Sequence, residues 1–182
     1  EAFVPRPRQA LAYIDEDIAV APGRYLMEPS PFAKMLQLAG IAPGDVVLDV
    51  GCATGYSAAI LSMLAGSVVA LECDPALAAS AGETLSRLGH DNVAVVEGAL
   101  EGGYPSEAPY DVIFVGGAVD EMPDALLAQL KDGGRLVAVV GRGNAGVARV
   151  FTKSGEVVAS RRGFNAAVHL LPGFGRAPAF QF

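Results

Sequence analysis

Asp49 and Glu72 are the residues whose type and position most directly imply chemistry. Asp49 lies in an apolar run, Val46-Val47-Leu48-Asp49-Val50, which leads at once into Gly51-Cys52-Ala53-Thr54-Gly55-Tyr56. A loop of this kind can hold a nucleotide-bearing ligand, but this one departs from the phosphate-binding patterns. A dinucleotide fingerprint requires glycines at the positions of Gly51, Ala53 and Tyr56, and only the first is met; the Gly-Lys-Ser/Thr ending of a phosphate cradle is absent too. A carboxylate just before the loop repels phosphate and favours a cation. Glu72 follows Gly51 by 21 residues, the distance at which an acidic side chain on the next strand can accept from both hydroxyls of a ribose.

S-adenosylmethionine is a ligand of that kind. It carries an ammonium and a sulfonium, lacks phosphate, and keeps two free ribose hydroxyls. Asp49, Gly51, Cys52, Ala53, Thr54, Gly55 and Glu72 are therefore read as its binding residues, with Cys73 beside them. A purely structural use of the two carboxylates is the alternative: Asp49 capping loop amides, and Glu72-Cys73-Asp74-Pro75 forming an acidic helix start.

The elements needed to position these residues follow from hydrophobic patterning. Ser30-Pro31 reads as an N-cap with proline at the first helical position, opening a helix over 32–39 that Gly40 stops. The run 46–50 is continuous enough for a strand buried on both faces. A helix over 56–65, a strand over 67–72, a helix over 75–88, strands over 92–97 and 111–115, a helix over 123–131 and a strand over 134–140 follow. Such alternation predicts an α/β fold, a Rossmann-like, doubly wound, mostly parallel sheet with helices on both faces. After Gly141 the pattern becomes strand-like without helices, over 147–153, 156–160 and 165–170, with Ser154-Gly155 as a hairpin turn. Residues 1–29, with four prolines, read as an irregular arm. The expected organisation is one domain over 1–182, comprising this arm, a cofactor-binding core over 30–141 and antiparallel strands over 142–182.

The 182 residues are 52% hydrophobic and carry a net charge of −7, enough apolar content for a sizeable core and no basic stripe for a nucleic acid. Apolar stretches fall short of the roughly 18–20 residues that cross a membrane. Two cysteines make no disulfide framework, so a reducing, cytoplasmic setting is expected. Cys52 and Cys73 are read as small apolar fillers near the cofactor, with a redox pair as the alternative. His90 and His169 do not form a metal-ligand spacing, and no metal is expected. The first residues show neither an initiator Met nor a signal pattern, as expected of a chain whose start is missing. The composition leaves the oligomeric state open.

Phe3-Val4-Pro5, Leu11-Ala12-Tyr13, Val47-Leu48-Asp49-Val50-Gly51, Thr54-Gly55-Tyr56, Ala108-Pro109-Tyr110-Asp111 and Leu127-Ala128-Gln129-Leu130-Lys131-Asp132-Gly133-Gly134-Arg135-Leu136 resemble protein-L-isoaspartate O-methyltransferases. The resemblance runs from Phe3 to about Gly141 and is much poorer beyond. It implies S-adenosylmethionine as donor and methyl esterification of an isoaspartyl carboxylate in damaged proteins, the ester then collapsing through a succinimide. It also implies that Gly98 and Ala99 border the cofactor, Ala99 standing where the family has an aspartate for the adenine amino group. Met27, in Gly23-Arg24-Tyr25-Leu26-Met27-Glu28-Pro29, stands where the family has a serine near donor and acceptor.

On the acceptor side, Arg24 can grip a carboxylate bidentately and Tyr25 can line the site, with Met27 beside them. The alternatives are a solvated loop arginine and a methionine filling a gap in the core. Catalytic residues stay unassigned, because a carboxylate is already ionised at neutral pH and needs alignment and water exclusion more than proton removal. Two other functions remain open at this point: a methyltransferase of the same fold with a small-molecule acceptor, and a non-catalytic S-adenosylmethionine-binding protein. Phe164, Phe174, Phe180 and Phe182 are read as covering the sheet edge, or else bordering the acceptor site or a subunit contact.

Overall fold

The computed structural model describes residues 1–176. After a short 3-10 turn at Arg6–Leu11 come β1 (Ile18–Ala21), β2 (Arg24–Leu26), α1 (Pro29–Ala39), β3 (Val46–Val50), α2 (Tyr56–Leu64), β4 (Ser67–Glu72), α3 (Pro75–Arg87), β5 (Val93–Glu97), β6 (Tyr110–Val119), α4 (Asp124–Ala128), β7 (Leu130–Val140), β8 (Val147–Ser154) and β9 (Val157–Asn165). A seven-stranded sheet runs in the order β5-β4-β3-β6-β7-β8-β9. Its first five strands are parallel, and β8 is antiparallel to both β7 and β9.

The continuous apolar runs take the central positions, as strands covered on both faces must. Val47, Leu48 and Val50 of β3 and Val112, Ile113, Phe114 and Val115 of β6 are fully buried. Alternate side chains feed two cores, one around Phe32, Met35, Leu61 and Phe114, the other around Leu48, Leu71, Ile113 and Leu136. The chain winds outward from β3 to β5, returns to β6, and winds the other way. That reversal opens a crevice at the carboxyl ends of β3 and β6, where doubly wound sheets bind ligands.

Several elements differ from the sequence expectation. The arm is not irregular throughout: β1 and β2 form an antiparallel hairpin across Pro22-Gly23, with Gly23 at φ 69°, a conformation a turn can demand and glycine tolerates. Helix α1 begins at Pro29 rather than after a Ser30 cap, and Glu28 makes no side-chain cap. Instead the amides of Glu28 and Ser30 donate to Asp17 Oδ1 at 2.8 Å and Asp15 Oδ1 at 3.1 Å, so carboxylates of the arm satisfy the start of the helix. Helix α4 stops at Ala128 because the chain is captured by β6, whose Tyr110 amide donates to the Gln129 carbonyl at 2.9 Å. Strand β9 extends to Asn165, and the strand expected over 165–170 is reduced to one bridge between Leu170 and Ala118. Phe174 is buried and Phe164 partly so, whereas Phe180 and Phe182 lie outside the described residues.

Candidate active site

The register of β3 against β4 sets Val50 opposite Leu71, which brings Asp49 and Glu72 to neighbouring positions beside the glycine loop. Both are fully buried. The loop turns back over β4, where the Gly51 and Cys52 amides donate to the Leu71 carbonyl at 2.8 and 3.2 Å. Ala53 takes a φ of 51°, unusual for a residue with a Cβ, and its N–H donates to Glu72 Oε2 at 2.7 Å. The other oxygen of Glu72 accepts from the amides of Cys73 at 2.9 Å and Asp74 at 3.1 Å. Arg24 completes the group, its Nη2 donating to Glu72 Oε2 in a buried ion pair.

Asp49 has a different environment. Its Oδ2 accepts from Ser57 Oγ at 2.6 Å, and its Oδ1 is buried with no partner among the described residues. Burial pushes its pKa up to about 7; the Ser57 hydrogen bond opposes this, the Glu72 charge adds to it and Arg24 works against it. A buried acceptor with a free lone pair suits an ammonium, which would donate a hydrogen bond and a charge at once.

The remaining loop residues are held within the fold as follows. Cys52 is buried in the core, and burial pushes its thiol pKa well up. Thr54 donates through Oγ1 to the Phe3 carbonyl at 2.6 Å, tying the arm to the loop rather than facing a ligand. Gly55, at φ 94°, starts α2. Cys73 is exposed, contrary to the filler expectation, because it follows the last residue of β4. The Gly98 amide donates to the Glu72 carbonyl at 3.0 Å, which sets Gly98 and the exposed Ala99 at the same end of the sheet.

The three acceptor-side residues lie on or just after β2. Arg24 does not reach outward for a carboxylate as its type implied; it is 4% exposed and committed to Glu72. Tyr25 and Met27 line a cavity of about 20 Å³ with Gly51, Cys52, Ala53 and Gly116. Tyr25, Met27 and Gly116 also border a second small pocket, lined further by Asp17, Arg24 and His169. Met27 further borders a larger cavity of about 280 Å³, where Phe3, Ile18, Leu26 and Tyr56 form part of the wall. Sequence reasoning missed Ser57 and Asp17. Ser57 was findable, since the first turn of a helix after such a loop stands over the end of the preceding strand. Asp17 had no local signal.

The family model described as Protein-L-isoaspartate(D-aspartate) O-methyltransferase (PCMT) matches residues 1–170. The chain belongs to that family. The Protein-L-isoaspartate O-methyltransferase of Methanocella arvoryzae is 39% identical over 178 residues, covering 96% of this chain and 95% of its own. A solved protein-L-isoaspartate O-methyltransferase superposes with a TM-score of 0.83 at 29% identity over 95% of this chain; the family member described here spans 58% of that protein's length. A Plasmodium falciparum protein described as a "putative protein-L-isoaspartate O-methyltransferase", in complex with S-adenosyl-L-homocysteine, shares the fold with a TM-score of 0.76 at 22% identity, over 93% of this chain and 84% of its own.

Proposed function

We propose that this protein transfers a methyl group from S-adenosylmethionine to the side-chain carboxylate of isoaspartyl residues in damaged proteins. The observation that carries the reading is the pair of fully buried carboxylates, Asp49 and Glu72, flanking a glycine loop at the switch point of the sheet. They fit the cofactor by their chemistry. The unpartnered Oδ1 of Asp49 suits its ammonium, and Glu72 suits its ribose diol once the Arg24 guanidinium turns aside. Gly51, Cys52 and Ala53 would lie along it, with Cys73, Gly98 and Ala99 on the far side.

When bound, S-adenosylmethionine supplies a methyl group made electrophilic by its sulfonium. The work left to the protein is alignment and exclusion of water. Asp49 holds the donor end, and a cation bound there favours its ionised form. Tyr25 and Met27, which border both the loop-side cavity and the second small pocket, separate donor from solvent and meet the acceptor. The acceptor carboxylate is its own nucleophile and needs no base, so the thioether at Met27 in place of the family serine removes no group that the proton balance requires.

Among the described residues no helix is long and apolar enough to cross a membrane, and the two thiols are free. A cytoplasmic repair role, with isoaspartyl proteins or peptides as partners, is part of the same proposal. The test is transfer of labelled methyl from S-adenosylmethionine to paired isoaspartyl and aspartyl peptides. Selective labelling of the isoaspartyl peptide is expected; no labelling, with cofactor binding demonstrated in the same sample, would overturn the reading.

A further inference from the structure

Every acceptor position on Glu72 is in use. A carboxylate offers about four lone-pair sites. Oε1 takes the Cys73 and Asp74 amides at 2.9 and 3.1 Å, and Oε2 takes the Ala53 amide at 2.7 Å together with Nη2 of Arg24. Three of these donors belong to the backbone of the loop and of the turn into α3. Arg24 supplies the one side-chain nitrogen among them, so ribose hydroxyls can reach Glu72 by taking its place. The guanidinium lies at the head of the loop, where a Cβ on Gly51 would stand 3.5 Å from Nη2. It is itself poorly satisfied, since Nε is buried without a partner among the described residues. Arg24 also lines the small pocket bordered by Asp17, Tyr25, Met27, Gly116 and His169, which meets the loop-side cavity at Tyr25, Met27 and Gly116. Among the described residues lining these two cavities and the larger one beside Met27, Arg24 is the only lysine or arginine. An acceptor carboxylate arriving beside the loop therefore has one fixed cation to meet, and a guanidinium can grip it through two N–H groups at once.

We propose that Arg24 serves two carboxylates in turn: it holds Glu72 until the ribose hydroxyls of the donor replace it there, and then binds the isoaspartyl carboxylate in the pocket it already lines. Each ligand thereby raises the affinity of the other, by the same factor in both directions. Transfer breaks the sulfonium S–C bond and forms the ester O–C bond, which removes the charge of the acceptor. Arg24 is then left with Glu72 as its partner, and its return opposes the ribose of the spent donor. The assignment rests on the methyl-transfer reading and adds to it a substrate-binding residue and the coupling of the two ligands.

The experiment compares wild type with Arg24→Met and Arg24→Lys. Calorimetry gives S-adenosylhomocysteine affinity with and without a saturating isoaspartyl peptide, and steady-state transfer at saturating S-adenosylmethionine gives the peptide KM. In the wild type the peptide should tighten S-adenosylhomocysteine binding by about fivefold or more, the lower end of couplings between sites. Arg24→Met should bind S-adenosylhomocysteine more tightly, raise the peptide KM by roughly tenfold or more and lose the coupling. These effects have opposite signs, whereas a fold loosened by a broken ion pair weakens both ligands. Arg24→Lys keeps a cation on Glu72, and with it the fold, but offers the acceptor a point charge in place of a fork, so KM should rise while the coupling stays. With the wild type active, three results would overturn this assignment alone: no coupling in the wild type, both ligands weakened together in Arg24→Met, or an unchanged KM in that variant, Arg24→Lys deciding the last should Arg24→Met not fold. A wild type that leaves the isoaspartyl peptide unlabelled would overturn the proposed function and this assignment with it.

Discussion

Arg24 and Glu72, 48 positions apart in the chain, form a buried ion pair that joins the N-terminal hairpin to the carboxylate at the end of β4. The pair is satisfied unevenly: Glu72 also accepts three backbone amides, whereas Nε of Arg24 has no partner among the described residues.

Removing one member of such a pair leaves a buried charge. Arg24→Met should lower stability by about 3 kcal/mol, the lower end for a broken buried pair because the three amides remain on Glu72. It should also enlarge the rise in melting temperature produced by S-adenosylhomocysteine, since the guanidinium no longer competes for the carboxylate. Melting curves with and without that ligand check both statements.

Glu72→Gln should weaken S-adenosylmethionine binding by about 1–3 kcal/mol, the scale of lost charge-assisted hydrogen bonds. Calorimetry measures this directly, and an unaltered affinity would remove the ribose assignment. The double variant Arg24→Met/Glu72→Gln should be destabilised by less than the sum of the single changes, because no unpaired charge is left.

Asp49 gives a pH dependence of defined sign. Its pKa in the fold is raised to about 7, whereas an unfolded aspartate titrates near about 3.9. Below that value both states hold the proton and the contribution is constant. As pH rises towards 7 the unfolded chain releases its proton first, so stability falls, by at most about 4 kcal/mol, and levels off above. Asp49→Asn removes this loss. Urea midpoints at about pH 5 and about pH 8 should therefore show the variant gaining on the wild type at the higher pH. Cofactor affinity of the wild type should rise over the same interval, because the ammonium requires the ionised carboxylate.

Gly55→Ala probes how the loop is set against the helices. At φ 94° an added Cβ is strained, and it would lie 3.1 Å from Leu85 Cδ1 and 3.2 Å from Ala81 Cβ on α3. A loss of about 1–2 kcal/mol is expected from the backbone alone, with weaker cofactor binding as the loop shifts. Denaturation and calorimetry on the same preparation test the two parts.

The parallel core was legible because burial on both faces leaves an unbroken apolar run, as in Val46-Val47-Leu48, and because a carboxylate inside such a run beside glycines has few other uses. The placing of Asp49 and Glu72 at neighbouring strand ends beside the glycine loop was therefore legible before any geometry. The hairpin was less so. Its strands are only four and three residues long, too short for alternation to show, although Pro22-Gly23 carried the turn. Arg24 pointed the wrong way in the sequence reading because its partner lies far along the chain, and a long-range ion pair leaves no periodic trace. The segment over 165–170 misled for the opposite reason: Ala166 and Val168 alternate buried with exposed neighbours, as in a strand, yet only one bridge joins it to the sheet.

Strand β2 is three residues long, and its successive side chains serve different clients: Arg24 faces the Glu72 carboxylate and Tyr25 carries the His169 ring. So short a ribbon cannot shift one without the other. Arrival of the donor at Glu72 therefore resets the platform on which the acceptor will sit, and the two ligands should add in compulsory order, donor first. In initial-rate kinetics S-adenosylhomocysteine would then compete with S-adenosylmethionine and not with the peptide.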